Sequence, residues 1–555
     1  IEARYADFLA RLLASPKQRK IFLGVTLGAL VFSLVLPLSP LVPFRMLPKA
    51  DKDQFFLYLD LPESTSLTAT SAAASDLETL IASEPDVTAV ETFIGHAPIV
   101  DFNGLFKGSA ARVGEHQATL KVHLTPHAER SRMSEDIALS LRHQSEDFLA
   151  AFPDATLRFI EDPPGPPVLA TLLLKVKGGD AAGREAISRD ITALLDSTEG
   201  VVDIETSLPD HVLDYTYTVD HEQAGLLGIS PQTLVTTLST ALSGSPVGLY
   251  HQNDPANLRQ PEQEYIIVRF RPEDRAYESD LDRIELMAAD GKTVPLLSVL
   301  EKTERSFPET ILSDERERTL YLSGEMEGRS VVYAVLDLFS ALRDYRLADG
   351  QGKMTDWSLL GFQYADQNDN RYSIEIGGEW KLTLEVFRDL GLAMAVGIFL
   401  IYFVLAAKTE SLFIPLLIMV SIPLGLIGVL PGFAVLQIVK GTYFNATSMI
   451  GVIALAGLAV KNAVIYLEYL EPLKRAGTPI AEALIETGRI RLLPIVLTSL
   501  AAILGSFTIA SDPVWEGLAW AIIFGLTAST FLTLLVFPVL YFLAERKHWE
   551  QEKNS

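Results

Sequence analysis

The stretch GLAVKNAVIYLEY at 457–469 places one ionisable side chain, Lys461, inside a run otherwise suited to lipid. An ammonium at the centre of a membrane helix costs about 2.5–3.5 kcal/mol on insertion scales, so it is kept there for a partner or a task. The chemistry it offers is a charge whose pairing can be switched. Mid-helix, its stem reaches headgroups poorly, so Lys461 is expected to point into a helix bundle and face a carboxylate. Glu468 follows on nearly the same face but about 10 Å along the axis, and with the adjacent Asn462 it ranks as a relay neighbour rather than a direct partner. Glu385 and Asp389 stand at one end of their own apolar run, so no carboxylate of matching depth is visible, and either the partner is in a different chain or the charge is stranded.

Other chemistries are argued down by spacing. Cysteine is absent, which removes disulfides, thiolate metal sites and cysteine nucleophiles. There is no G-x-S-x-G, no P-loop, no G-x-G-x-x-G opening a helix and no H-E-x-x-H, so no enzyme signature appears. His123 and His127 lie four apart in HLTPH, but Pro126 and a preceding strand keep them off one helical face. Asp366, Asn368 and Asn370 open like a calcium loop, yet Arg371 stands where glycine is required and Gly377 where the closing glutamate belongs. The eight methionines are scattered, unlike a soft-metal path. No cofactor, metal or catalytic site is expected. A net charge of −24 without a basic stripe argues against nucleic acid.

The elements that must position Lys461 follow from hydropathy. A bilayer core of about 30 Å needs about 20 apolar residues in a helix. Uncharged runs span 21–44, 390–407, 411–439, 492–511 and 517–544, and a sixth, 441–467, is interrupted only by Lys461. Lys17, Arg19 and Lys20 before the first run, and Lys474, Arg475, Arg489 and Arg491 between the fourth and fifth, mark cytoplasmic ends. Both termini are then cytoplasmic and the acidic region between the first two runs is periplasmic. Residues 3–15, ARYADFLARLLAS, have a helical apolar period and read as a helix along the inner membrane surface.

The outer region alternates strand and helix patterns. FFLYLDL (55–61), a helix over 66–84 and VTAVETFI (87–94) are followed by ATLKVHL (118–124), a helix over 134–151 and ATLRFI (155–160). That is β-α-β twice, the recurrence of a ferredoxin-like unit. PPGPP at 163–167 punctuates it, and a second unit starts at LATLLLKVKG (169–178), is interrupted over 211–305, and resumes at TLYLSGEM (319–326).

GLAVKNAVIYLEY followed by RIRLLPIVLTSLAAILG (489–505) resembles the tenth and eleventh membrane helices of resistance–nodulation–division (RND) efflux permeases of the multidrug, hydrophobe/amphiphile type. RMLPKADKDQFFLYLDLPESTSL (45–67), VPLLSVLEKTERSFPETI (294–311) and LAAKTESLFIPLLIMVSIPLGLIGVL (405–430) resemble further landmarks of that family. The resemblance implies the C-terminal half of a twelve-helix inner-membrane permease: a six-span α-helical bundle plus an α+β periplasmic region of porter and docking subdomains. Its implied layout is an amphipathic helix at 1–20, a first span at 21–44 and porter subdomain 1 at 45–165. Porter subdomain 2 occupies 166–210 and 306–380, docking 211–305, five spans 381–545 and a tail 546–555.

By the same resemblance, Lys461 and Thr498 match proton-relay residues that work with an aspartate pair on the N-terminal half, which this chain lacks. The implied function is proton-driven export of amphiphilic small molecules by a homotrimer of complete permeases, with a periplasmic adaptor and an outer-membrane channel. By position, DFNGLFKGSAARVGEHQ (101–117) resembles the loop between cleft pockets, which makes Phe102 and Phe106 candidate liners. The alternatives are export of lipids or signalling amphiphiles by the same fold, and a non-transporting assembly or sensor subunit.

Overall fold

Two prolines and one serine decide how the chain enters and leaves its first long helix. α1 (Glu2–Ala14) stops before Ser15, and α2 (Pro16–Val35) starts with proline at its first position, where the missing N–H has no intrahelical partner to lose. The Ser15 hydroxyl accepts from the Gln18 N–H at 3.4 Å and caps the helix. At the other end Pro37 follows within a 3₁₀ turn over Leu36–Leu38, so the helix ends well short of residue 44, where the apolar run had suggested. This computed structural model describes all residues except 1, 40, 47–50, 100, 162–164, 166–167, 209–212, 251–263, 272–273, 276–277, 307–309, 348–351 and 553–555. Residues 1–208 with 311–555 form one compact unit, and 209–310 a second.

The first unit contains two ferredoxin-like sheets. The first comprises β1 (Gln54–Asp60), α3 (Leu67–Ala82), β2 (Val87–Ile94), α4 (Phe102–Phe106), β3 (Gln117–Leu124), α5 (Ser134–Gln144), α6 (Glu146–Ala151) and β4 (Thr156–Ile160). Its order is β2-β3-β1-β4, antiparallel throughout. Phe55, Leu57 and Leu59 pack with Leu77, Ile81, Ile137 and Leu141 of α3 and α5. Residues of the other parity, Phe56 and Tyr58, are buried with Ile160 on the opposite face. A strand buried on both sides means that something covers the face a ferredoxin-like sheet usually leaves open.

The second sheet starts with β5 (Leu172–Gly178), α7 (Ala181–Asp196) and β6 (Val201–Thr206). The chain then builds the separate unit from β7 (Leu213–Val219), α8 (His221–Leu226), α9 (Pro231–Leu242), β8 (Ser245–Tyr250), β9 (Glu264–Val268), β10 (Glu285–Met287), β11 (Thr293–Pro295) and β12 (Leu300–Ser306). That unit pairs β7 with β12, β8 with β9 and β10 with β11 around a core including Leu234, Ile284, Leu296 and Val299. The second sheet is completed by β13 (Ser313–Asp314), β14 (Glu317–Met326), α10 (Val331–Arg343), β15 (Lys353–Ser358), β16 (Gly361–Ala365) and β17 (Arg371–Gly377). Its order is β13-β14-β5-β17-β16-β15, with β6 also on β14. The apolar faces of α7 and α10 pack on one side of it through Ile187, Ile191, Leu195, Ala334 and Leu338.

β17 runs without a loop into α11 (Gly378–Thr409). Gly378 makes the join at φ +65°, and a Cβ there would sit 2.6 Å from the Ala170 carbonyl oxygen, so only glycine fits. The bundle continues with α12 (Ile414–Met419), α13 (Ser421–Lys440), α14 (Ala446–Arg475), α15 (Ile480–Phe507) and α16 (Glu516–Glu552). Among the described residues six helical segments are long and apolar enough to cross a membrane: 16–38, 378–409, 414–440, 446–475, 480–507 and 516–546. The run 411–439 is broken at Val420, three residues before Pro423, whose ring cannot continue the ladder. Leu9, Leu12 and Leu13 of α1 pack among residues of α14, α15 and α16 such as Leu467, Leu484 and Val539, so the apolar stripe of α1 is spent on protein.

Candidate functional site

Lys461 lies midway along the 30 residues of α14, whose start is fixed by Asn445 accepting from the Ser448 N–H at 2.9 Å. Its side chain is exposed on the surface of this chain, and no partner for it exists among the described residues. Lys461 therefore does not point into the bundle that these six helices form. The exposed positions Ile450, Ala454, Gly457 and Lys461 recur every three or four residues and make one stripe, while Leu455, Ala459, Asn462 and Tyr466 take the interior.

Thr498 on α15 is also exposed, and its hydroxyl donates to the Ile495 carbonyl at 3.0 Å. Lys461 and Thr498 each precede a member of a buried polar knot. Asn462 Nδ2 donates to Ser499 Oγ at 3.3 Å and Thr530 Oγ1 at 3.4 Å, and Thr530 donates to Ser499 at 2.8 Å, so α14, α15 and α16 are tied together. In this chain Asn462 serves helix packing. Glu468 is committed elsewhere, to an ion pair with Lys408 at the far end of α11.

A second constellation sits between the two sheets. The open faces of β1 and β4 and of β5, β6 and β14 enclose a cavity of about 440 Å³. Tyr58, Arg112, Arg158 and Ile160 line it from one sheet, and Leu173, Glu205, Tyr321 and Glu325 from the other. Two guanidinium groups stand over the Tyr58 ring, Arg112 at 4.4 Å and Arg158 at 5.4 Å from its centroid. Arg112 donates to Thr119 Oγ1, Asp60 Oδ2 and the carbonyls of Leu59 and Ala118, each at 3.0 Å. Arg158 spans Asp60 and Glu205, and Lys107 pairs with Glu325 at 3.1 Å, bridging the sheets. Burial opposes the charge of Asp60, but Arg112 and Arg158 outweigh it and hold the carboxyl below its ordinary range. Arg158 Nε is buried without a hydrogen-bond partner among the described residues. At the end of β4, burial and the neighbouring Glu135 push Glu161 up to about 7, against the pull of Arg45.

The loop 101–117 does contribute to this wall, but through Lys107, Gly108, Ala111 and Arg112. Phe106 is 44% exposed and does not line the cavity, and the side chain of Phe102 lies outside the described residues. Position in the resembling loop selects Phe102 and Phe106, whereas the observed wall is built of ion-paired arginines beside Tyr58. The usable signal was QFFLYLD itself, apolar or aromatic at both parities, which marks a strand covered on both faces.

The model of the AcrB/AcrD/AcrF family matches residues 1–545. The multidrug/solvent efflux pump membrane transporter MepB of Pseudomonas putida is 28% identical over 520 residues, 91% of this chain and 44% of the relative. The cobalt-zinc-cadmium resistance protein CzcA of Cupriavidus metallidurans is 25% identical over 395 residues, 69% of this chain and 34% of that protein. A crystal structure of a heavy metal efflux pump superposes with a TM-score of 0.71 at 23% identity, covering 98% of this chain and 51% of the pump. The chain thus spans about half or less of the length of the proteins it matches.

Proposed function

This chain belongs to the AcrB/AcrD/AcrF family of RND efflux permeases, a multi-pass inner-membrane protein with a large periplasmic region, and we propose that it acts as the C-terminal half of a proton-driven amphiphile antiporter. The observation that carries the reading is Lys461. It is a charged side chain at mid-helix, outward-facing and unpartnered among the described residues, which a second bundle bearing carboxylates at that depth would satisfy. An aspartate pair on the other half would hold the ammonium when ionised and release it on protonation, so that each proton changes which helices attract. Thr498, on the adjoining helix, would orient the proton path. The knot of Asn462, Ser499 and Thr530 makes the three helices behind Lys461 move together.

The cavity between the sheets supports an organic cargo. Its described lining contains no Met, His or Cys, and its carboxylates Asp203, Glu205 and Glu325 already pair with Arg142, Arg158 and Lys107. Aliphatic walls from Ile160, Leu169 and Leu173 beside the rings of Tyr58 and Tyr321 suit a molecule with an apolar body. In this reading complete permeases assemble as homotrimers with a periplasmic adaptor and an outer-membrane channel.

The test is efflux from proteoliposomes containing the complete permease under an imposed pH gradient, with an amphiphilic dye and, separately, zinc or cadmium. Lys461→Met should abolish dye export with assembly intact, Lys461→Arg should impair it because a planar fork replaces a compact ammonium, and Thr498→Ala should weaken it less. Undiminished proton-driven efflux by Lys461→Met refutes the coupling role, and export of the metal alone refutes the cargo.

A further inference from the structure

Arg19 sits in the first turn of α2, two residues before the uncharged run begins at Ile21, and therefore at the level of the cytoplasmic headgroups. It is only 8% exposed, and its Nε and Nη1 are buried with no hydrogen-bond partner among the described residues. Its guanidinium lies 4.9 Å from the centroid of Phe542 on α16, and that of Arg546 lies 5.6 Å from the same ring. Two like charges thus share one aromatic ring. Lys17 and Lys20 flank Arg19, both exposed, and the first turn of α2 holds no acidic residue.

This arrangement opposes ordinary helix electrostatics. The N-terminus of a helix is its positive end and favours anions, yet here it collects three cations. A buried ionised donor without an acceptor is strongly unfavourable, so the site is complete only with an anion present. Phosphate oxygens match the planar guanidinium fork. The depth of the site, at the edge of an apolar span, selects phosphate carried by a lipid.

We propose that Arg19, at the α2 N-terminus and against Phe542, binds the phosphodiester of an anionic phospholipid of the cytoplasmic leaflet. The lipid completes the seam between α2 and α16, the first and last spans of this chain, and ties the position of α2 to leaflet composition.

The experiment is native mass spectrometry of the full-length permease, delipidated in detergent and titrated with phosphatidylglycerol, phosphatidylcholine or inorganic phosphate. Arg19→Gln should weaken the tightest phosphatidylglycerol adduct about tenfold, leave phosphatidylcholine binding unchanged and keep the melting temperature of the lipid-free protein. Arg19→Lys should lose less. Wild-type phosphatidylglycerol binding by Arg19→Gln, or equal loss for both lipids, overturns the proposal. Displacement of the lipid by millimolar inorganic phosphate would overturn the lipid assignment in favour of a free anion. A lowered melting point of lipid-free Arg19→Gln would show that Arg19 is paired with a carboxylate elsewhere in the protein, and overturns it too.

Discussion

Replacing Arg112 with methionine should unfasten the loop 101–117 from the wall of the cleft. The wild-type side chain is 5% exposed and fills four acceptors at 3.0 Å, two of them backbone carbonyls on β1 and β3. Methionine keeps the length and the contact with Tyr58 but none of the donors. Stranding one member of a buried ion pair costs about 3–5 kcal/mol. Asp60 is not stranded, since Arg158 remains at 2.9 Å and Gln117 at 3.1 Å. The loss is therefore set at about 2–3 kcal/mol. Hydrogen exchange on the full-length protein reads this locally: amides of β1 and β3 should lose about a hundredfold in protection, and those of α14 should not change. Arg112→Lys should not restore protection, because a point charge cannot serve acceptors on several sides. The depressed Asp60 carboxyl contributes stability above its ordinary range that is lost as pH falls, and this acid sensitivity should shrink in the variant. Protection within about threefold of wild type would mean that water replaces the guanidinium at little cost, and the stapling argument would fail.

Two further perturbations probe the joints around the site. Gly428→Val would place a Cβ 2.2 Å from the Phe524 carbonyl oxygen and should destabilise the α13–α16 contact by about 1–3 kcal/mol, whereas Gly391→Ala, with nothing within 4 Å of its new Cβ, should be neutral; equal melting temperatures in detergent would refute the close-packing reading. Glu161 has its folded pKa raised from 4.5 to about 7, so the stability associated with its neutral form is intact below 4.5 and lost as pH rises through 7. Glu161→Gln should match wild type at pH 4.5 and be the more stable at pH 8, by at most about 3 kcal/mol; parallel melting curves of the two proteins against pH would rule this out.

Much of the architecture was legible before folding was considered. Apolar runs of membrane length need internal backbone pairing and so become helices wherever they lie, and period-two runs such as ATLKVHL alternate with helical stretches in the order of a ferredoxin-like unit. Helix ends were less legible. Pro16 and Ser15 moved the start of α2, and Pro423 split a run that composition alone reads as continuous.

The candidate site divides along the same line. That Lys461 is an ionisable group in an apolar segment is a statement about one helix, and local spacing suffices to make it. Which way it faces is not local: α14 turns Asn462 inward to Ser499 and Thr530 because α15 and α16 present hydroxyls there, and Lys461, about 100° further round the helix, is left outside. The ion pair of Glu468 was not visible to spacing either, since its partner Lys408 lies sixty positions earlier in the chain. The cleft is the extreme case. Tyr58, Arg112, Arg158 and Glu205 belong to three strands and a loop, and they meet only because two sheets turn their open faces toward each other. Periodicity reports which face of an element is buried, but the partner that buries it is chosen by packing between elements distant in sequence, and only the tertiary structure makes that choice.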